Sequence, residues 1–492
     1  MTTINQVLFL RVPPYFGYAN HHPHDITLPF TTAYAASILN QAGFQVTVLD
    51  LWANGWSLEK SLAHILALNP QAILYDCTTG VLPALKEINA ALLNKISPRT
   101  LAFGAIPTFF PEALFTHDSG FEIGLAGECE KTVGVVMTAL AQGSDWRNIP
   151  GLVYWDSDSE TLVKTPKGPF LEDLDQLPLI DYHLFDLKRY RKFSFPVPIF
   201  RRVRWGHLLT TRGCPYHCSF CSHDHRQSFG RAMRHTSPKR VADEFEHLAT
   251  RHGVNAISIE DDCFTVDGGY VSEICDELIR RNLGVKWVVQ TRADLLDRPL
   301  MKKMKAAGCV GLSLGIESGS DRVLKVLKKG VRVARIRETL ENATAEGLML
   351  RLLFMIGNPG ETEAEIEETI QLALSAQAIT VQAHFCTPYP GTDFFDPNQD
   401  SLGAFGDFSS YNAIHRNMSQ VSDERLLELR NRFYHSYYFS WHYLKLFMRQ
   451  RLRYFPPLAM NDLPLIVRAL FYLLRKPEDV VGKRSIPDLK SP

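Results

Sequence analysis

Short apolar runs alternate with amphipathic helical patterns along two separate stretches of this chain, and this alternation restricts the fold more than any other feature. In residues 1–145 the apolar runs lie at 6–12, 45–50, 72–76, 100–104 and 121–127. Runs that are apolar throughout and separated by helices are typical of parallel strands covered on both faces. The first stretch therefore predicts a doubly wound α/β domain, which binds ligands beyond the carboxyl ends of its strands.

The second stretch, residues 206–395, repeats the pattern with six strand candidates. They lie at 207–211, 255–261, 286–291, 309–317, 348–357 and 380–386. Six strand–helix units predict a partial (β/α)6 barrel of the TIM type, smaller than the full barrel of eight units. A second open sheet is the alternative.

The remaining segments differ in composition. Residues 146–205 are rich in Pro, Asp and aromatic residues and predict a small hairpin followed by an extended linker. Residues 396–492 are mostly helical in pattern, with aromatic and basic residues interleaved. We favour a helical cap over the barrel mouth for this region, and a helix lying on a membrane surface is the alternative.

Composition excludes several classes of protein. The chain has 492 residues, a formal net charge of zero and 45% apolar residues, which indicates a folded protein without the basic excess of a nucleic-acid-binding protein. It has no apolar run of about 20 residues and no leader pattern, so we expect a cytoplasmic protein. Nine cysteines in a chain of this length favour thiols or metal ligands over a disulfide framework.

Three of those cysteines are clustered, at Cys214, Cys218 and Cys221, with the spacing C-x3-C-x2-C. The loop follows the first predicted barrel strand, where active sites of β/α barrels lie. Three thiolates can hold three irons of a [4Fe–4S] cluster and leave the fourth iron open. A zinc site, with a fourth ligand from His217, His223 or His225, and a redox thiol cluster are the alternatives.

The loop "RGCPYHCSFC" resembles the signature of the radical S-adenosylmethionine (SAM) superfamily. The resemblance continues through the turns that end the next barrel strands: "SIEDDCFT", "QTRADLLD", "GIESGSDR", "FMIGNPGE" and "TPYPGTDFF". It implies a [4Fe–4S] cluster on the three cysteines, with SAM on the open iron. The SAM contacts that it implies are Phe220, Gln290, Arg292, Glu317, Ser318, Gly357 and Gly360.

The first domain resembles the Rossmann-like cobalamin-binding domain that precedes the barrel in one group of radical SAM proteins. The pieces that carry this likeness are "ITLPFTTAYAASILNQAGFQVTVLD", "DCTTG", "FGAIPTFFPE" and "LAGECEKT". The implied cobalamin contacts are Thr78, Thr79, Gly104, Thr108, Gly127 and Glu128. The chain departs from the group's pattern at Ala105, Pro107 and Cys129.

These likenesses imply an enzyme that cleaves SAM reductively and activates a carbon centre, for C-methylation of a natural-product, lipid or tetrapyrrole substrate. The implied cofactors are the [4Fe–4S] cluster, SAM and cobalamin, with flavodoxin or ferredoxin as electron donor. Cyclisation, oxidation or rearrangement without methyl transfer is an alternative. A barrel that has lost cobalamin and a zinc-stabilised binding protein without catalysis are two others.

Overall fold

The structure is a computed structural model of the chain. It describes residues 4–14, 16, 26–190, 203–221, 229–389, 391–396, 398–400 and 414–454. Fifteen strands are numbered along the chain. They are β1 (Gln6–Arg11), β2 (Gln45–Asp50), β3 (Ala72–Asp76), β4 (Arg99–Phe103), β5 (Ile123–Leu125), β6 (Leu152–Asp156), β7 (Thr161–Lys164), β8 (Trp205–Leu208), β9 (Thr211–Arg212), β10 (Arg234–His235), β11 (Ala256–Ile259), β12 (Lys286–Arg292), β13 (Cys309–Glu317), β14 (Met349–Ile356) and β15 (Thr380–Phe385).

The α-helices of the described residues are numbered in the same way. They are α1 (Phe30–Gln41), α2 (Leu51–Asn54), α3 (Leu58–Leu68), α4 (Leu82–Leu93), α5 (Ala105–Phe109), α6 (Glu130–Gln142), α7 (Pro238–His252), α8 (Gly268–Arg281), α9 (Arg298–Ala306), α10 (Asp321–Val326), α11 (Val333–Ala345), α12 (Glu363–Ser375), α13 (Asp423–Tyr438) and α14 (Trp441–Tyr454). Short 3-10 turns lie at Thr79–Val81, Pro111–Ala113, Leu174–Gln176, Tyr182–Leu184, Leu187–Arg189, Phe264–Val266 and Ala293–Leu295.

The first domain is built on a seven-stranded sheet in the order β2-β1-β3-β4-β5-β6-β7. Strands β1 to β5 are parallel, and separate apolar clusters cover the two faces of the sheet. This confirms the predicted doubly wound α/β domain. The hairpin β6–β7 joins β5 in antiparallel pairing, so the sheet extends beyond residue 145, where the sequence pattern placed the end of the domain.

The second domain is a six-stranded parallel sheet in the order β15-β14-β13-β12-β11-β8. Its two edge strands are not hydrogen-bonded to each other. One apolar cluster nevertheless brings together inward-facing residues from all six strand positions: Trp205, Ala256, Val288, Val310, Met349 and Ile379. A cluster that includes both edges requires a curved sheet, so the open six-unit barrel is confirmed.

The two C-terminal helices cover the open edge of β15 through tyrosine hydroxyls. Tyr437, Tyr438 and Tyr434 accept hydrogen bonds from the backbone N–H groups of Ala378, Val381 and Ala383. An uncovered edge strand is a liability because its backbone groups lack partners. The helices therefore pack beside the last strand, whereas the sequence analysis favoured a position over the barrel mouth.

Among the described residues, no helix is long and apolar enough to cross a bilayer.

Candidate functional site

A buried carboxylate anchors the strand end that leads into the cysteine loop. Asp261 accepts hydrogen bonds from the Thr210 N–H and hydroxyl, both at 2.6 Å, and from the Thr211 hydroxyl at 2.9 Å. Burial raises the pKa of Asp261 to about 6. Asp261 therefore joins the ends of two barrel strands.

The cysteine loop begins at a position that only glycine can occupy. Gly213 has φ +93°, and a Cβ there would lie 2.3 Å from the carbonyl oxygen of Ala232. Cys214 and Cys221 are half-buried, and Cys218 is buried. The Ser219 N–H donates to the carbonyl of Leu327 at 3.0 Å, which fixes the loop against the turn after α10.

Arg292, at the end of β12, connects the loop to the third barrel strand. Its Nη1 donates to Cys218 Sγ at 3.5 Å, and its guanidinium lies 3.9 Å from the centre of the Tyr216 ring. Two further nitrogens donate to the Asp294 carboxylate, each at 3.0 Å. Arg292 is 6% exposed, so this ion pair is buried. A cation beside a thiol favours the thiolate that an iron–sulfur cluster requires.

The other predicted SAM residues lie on the same side of the barrel. Phe220 is half-buried in a small apolar cluster, and the Lys329 ammonium lies 5.6 Å from its ring centre. Lys329 also donates to Glu317 Oε1 at 2.9 Å, and Glu317 has φ +68°. Ser318 is fully buried, and its hydroxyl accepts from the Ser320 N–H at 3.1 Å and lies 3.2 Å from the Thr369 hydroxyl. Its own N–H donates to the carbonyl of Ile316 at 3.0 Å.

The turn after β14, "IGNPGE", is held by its own carboxylate. Glu361 is fully buried and accepts from the backbone N–H and the side-chain amide of Asn358, at 3.0 and 3.1 Å. Burial raises the pKa of Glu361 to about 7. Gly357 and Gly360 both have positive φ, at +77° and +65°, a backbone conformation that glycine adopts without strain.

The barrel interior above the apolar cluster is polar. Gln290 is exposed although it lies in the middle of a central strand on the inward face, which shows that the interior is open. His207 is fully buried on the inward face of β8, with Nδ1 2.9 Å from Glu260 Oε1. In the described part of the chain, His207 Nε2 and Ser313 Oγ have no hydrogen-bond partner. The sequence analysis did not identify His207. A histidine within an otherwise apolar strand could have indicated it.

The predicted cobalamin residues lie at the carboxyl end of the first sheet. Thr78 is exposed after β3, and Thr79 begins the next turn, although its side chain lies outside the described residues. The Thr108 hydroxyl donates to Gly104 O at 2.6 Å and accepts from Gly127 N at 2.9 Å, which joins the turns after β4 and β5. A Cβ at Gly127 would meet no atom within 4 Å, so this turn borders open space.

Glu128 and Glu130 connect this edge of the first sheet to the barrel. The Glu128 carboxylate accepts from Arg234 at 2.5 and 3.0 Å and from the Leu171 N–H at 2.8 Å. Glu130 accepts from Arg212 at 2.6 Å. All four charged side chains are buried. Glu128 was predicted to contact cobalamin, and its carboxylate is bound here by Arg234 and by the Leu171 N–H.

Other histidines considered from the sequence do not form a metal site in the described residues. His217 is exposed, and Arg231 Nη1 lies 3.4 Å from its Nε2. No three His, Cys, Asp or Glu side chains of the described residues are grouped as ligands of one metal ion. His223 and His225 lie outside the described residues. The donor set of three thiols on one loop beside Arg292 fits an iron–sulfur cluster.

Comparison with known proteins identifies relatives of this chain. Residues 208–373 match the model of the radical SAM superfamily. A Pyrococcus horikoshii protein described as an uncharacterized methyltransferase is 27% identical over 370 residues, which cover 75% of this chain and 78% of the relative. The anaerobic magnesium-protoporphyrin IX monomethyl ester cyclase of Rubrivivax gelatinosus is 29% identical over 396 residues, 78% of this chain and 69% of that protein.

Two solved structures share the fold. The radical SAM methyltransferase TsrM from Kitasatospora setae, solved with cobalamin and a [4Fe–4S] cluster, gives a TM-score of 0.62 at 20% identity, over 80% of this chain and 74% of that one. The cobalamin-dependent radical SAM enzyme OxsB gives 0.63 at 20% identity, over 76% and 52%. Residues 208–373, which include the cysteine loop, therefore match the radical SAM superfamily, and the relatives extend the similarity over about three quarters of this chain.

Proposed function

We propose that this chain is a cobalamin-dependent radical SAM enzyme that methylates a carbon centre of a natural-product, lipid or tetrapyrrole substrate. Cys214, Cys218 and Cys221 hold the [4Fe–4S] cluster, and the turns at Glu317 and Gly357–Gly360 hold SAM. When bound, these groups supply an adenosyl radical that abstracts hydrogen, and cobalamin supplies the methyl carrier. The protein itself positions these groups and excludes water.

The observation that carries the proposal is the pair Glu130–Arg212. Glu130 begins α6, directly after the turn "LAGEC" that resembles a cobalamin-binding turn, and Arg212 lies two residues before Cys214. Their contact at 2.6 Å places the carboxyl edge of the first sheet beside the cysteine loop. An enzyme that uses two cofactors on one substrate requires their binding sites to be adjacent.

The names of the relatives support the choice of reaction class. Besides the Pyrococcus protein, relatives include a cytidylyl-2-hydroxyethylphosphonate methyltransferase from Streptomyces wedmorensis, 25% identical over 427 residues. The Rubrivivax cyclase supports the alternative, which is a cyclisation, oxidation or rearrangement without methyl transfer. The open, polar barrel interior around Gln290 suits a substrate that carries hydrogen-bonding groups in either case.

Anaerobic reconstitution with iron and sulfide tests the cluster. We expect about four irons per chain and formation of 5′-deoxyadenosine from SAM on reduction by dithionite, or by flavodoxin or ferredoxin. Changing the three loop cysteines together to Ala should abolish both. Cys275→Ala, in the buried face of α8, is the matched control and should retain them. One zinc and no iron in the reconstituted protein would refute the proposal.

Binding of hydroxocobalamin, followed by its visible spectrum, tests the second cofactor. Thr78 is exposed at the carboxyl edge of the first sheet, so Thr78→Tyr should block cobalamin while iron loading is kept. Glu59→Tyr, on an exposed position of α3, is the control. Failure of the wild-type chain to bind cobalamin would remove both cobalamin-dependent reactions. Mass spectrometry of turnover mixtures then separates a methylated from a rearranged product.

A further inference from the structure

An exposed apolar stripe runs along the outer face of α14. Of the eight large apolar side chains that are exposed in the described part of the chain, five lie within residues 439–448. Four of them form the stripe: Trp441 at 77%, Leu444 at 47%, Phe447 at 36% and Met448 at 49% exposure. Clustered exposure of this kind marks an interaction surface, because single apolar side chains are normally scattered over a protein surface.

The opposite face of the same helix packs onto the barrel. Leu446 is 4% exposed, and the Tyr443 hydroxyl donates to the carbonyl of Ile379 at 3.3 Å. The spacing i, i+3, i+7 of Trp441, Leu444 and Met448 places them together on the side away from these contacts. The helix is therefore held flat against the barrel with its apolar stripe directed outward.

Basic residues accompany the stripe. Lys445 and Arg449 are exposed and lie one helical turn apart. The stretch 429–461 contains no Asp or Glu, although the whole chain has equal numbers of acidic and basic residues, 53 of each. Its Lys and Arg residues are Arg430, Arg432, Lys445, Arg449, Arg451 and Arg453. A helix that has no acidic residue, an exposed tryptophan and the exposed Lys445 and Arg449 complements an anionic lipid headgroup layer.

We propose that α14 docks this protein on the surface of an anionic lipid bilayer. The apolar stripe enters the boundary between headgroups and acyl chains, while Lys445 and Arg449 contact the headgroup phosphates. The helix lies on the bilayer and does not cross it. This inference does not depend on the cofactors, because every residue that carries it lies outside the cysteine loop and the turns around it.

The test is flotation of the purified full chain with vesicles of phosphatidylcholine and phosphatidylglycerol, with vesicles of phosphatidylcholine alone for comparison. We expect binding to the anionic vesicles that weakens as salt is raised. Lys445→Glu combined with Arg449→Glu should weaken binding at least about tenfold. Trp441→Ser, Leu444→Ser and Met448→Ser together should abolish it, while Val135→Ser with Ile279→Ser, exposed elsewhere, should leave it unchanged.

Absence of flotation by the wild-type chain, or equal flotation of the triple serine variant, would overturn the proposal. Sedimentation velocity tests whether a second copy of the chain covers the stripe instead of a bilayer. A dimer that the triple variant converts to monomer, without vesicle binding, would assign the stripe to a second copy of the chain. If removal of residues 455–492 were required before vesicles bind, that segment would be the occupant in the isolated protein, and the proposal would fail for the full chain.

Discussion

Arg292 donates a hydrogen bond to the sulfur of Cys218, with 3.5 Å between Nη1 and Sγ. The arginine ends β12 and the cysteine lies on the loop that follows β9, so the contact joins parts of the barrel 74 residues apart. Its guanidinium is shared with Asp294 and is buried. The charges of Arg292 and Asp294 therefore act directly on the Cys218 sulfur and on any group bound to it.

Arg292→Gln should lower the reduction potential of the reconstituted cluster by roughly tens of millivolts, because a nearby cation stabilises the more negative, reduced state. Asp294→Asn removes the anion beside the same guanidinium and should shift the potential in the opposite direction. A redox titration followed by electron paramagnetic resonance measures both. Equal or absent shifts in the two variants would show that Arg292 has no electrostatic effect on the cluster.

Glu128→Gln should lower the free energy of unfolding by about 3–5 kcal/mol, because it leaves the buried Arg234 guanidinium without its anionic partner. Denaturant unfolding of the iron-free chain measures the loss. The exposed pair Lys164–Glu112 is the matched control, and Glu112→Gln should cost less than about 1 kcal/mol. A small effect at Glu128 would mean that this buried ion pair contributes little to the free energy of unfolding.

The stability of the turn after β14 should depend on pH through Glu361. Its pKa rises from 4.5 to about 7 on folding, so between these values the folded chain holds a proton that the unfolded chain has released. The free energy of unfolding therefore falls as the pH rises from about 4 to about 7, by on the order of 3 kcal/mol from this group. Chemical denaturation of the iron-free chain across this range measures it.

Glu361→Gln should remove that part of the pH dependence, since an amide does not titrate. Glu341→Gln, on an exposed position of α11, is the control and should retain the slope of the wild type. A Glu361→Gln variant whose unfolding free energy still falls to the same extent would assign the effect to other buried carboxyls, such as Asp261.

Tyr437→Phe and Tyr438→Phe should each lower the free energy of unfolding by about 1–3 kcal/mol, because the N–H of Ala378 or Val381 then loses its partner in a buried place. Tyr154→Phe is the control, because its hydroxyl has no hydrogen-bond partner in the described part of the chain. Hydrogen exchange at residues 378–383 gives a second measurement, and it should be faster only in the first two variants.

Apolar periodicity alone was enough to predict both sheets. The runs at 45–50, 72–76 and 309–317 coincide with β2, β3 and β13. The central strands β3 and β13 are covered on both faces and are therefore mostly apolar, whereas the edge strand β2 alternates between exposed and partly buried positions. The cysteine spacing identified the loop, since its three thiols lie within eight residues of sequence. The ends of some strands were predicted less accurately. The run at 121–127 contains β5, which spans only Ile123–Leu125, because the residues on either side of it form apolar turns.

The contacts between distant parts of the chain were not available from such patterns. No local signal pairs Glu128 with Arg234, His207 with Glu260, or Arg292 with Cys218, because each pair is 53 to 106 residues apart. The sequence by itself determined the two α/β domains and the position of the cysteine loop, through short-range spacing and burial. Only the tertiary structure decided which charges are buried together and which helix face is left exposed, because these depend on how separate elements pack.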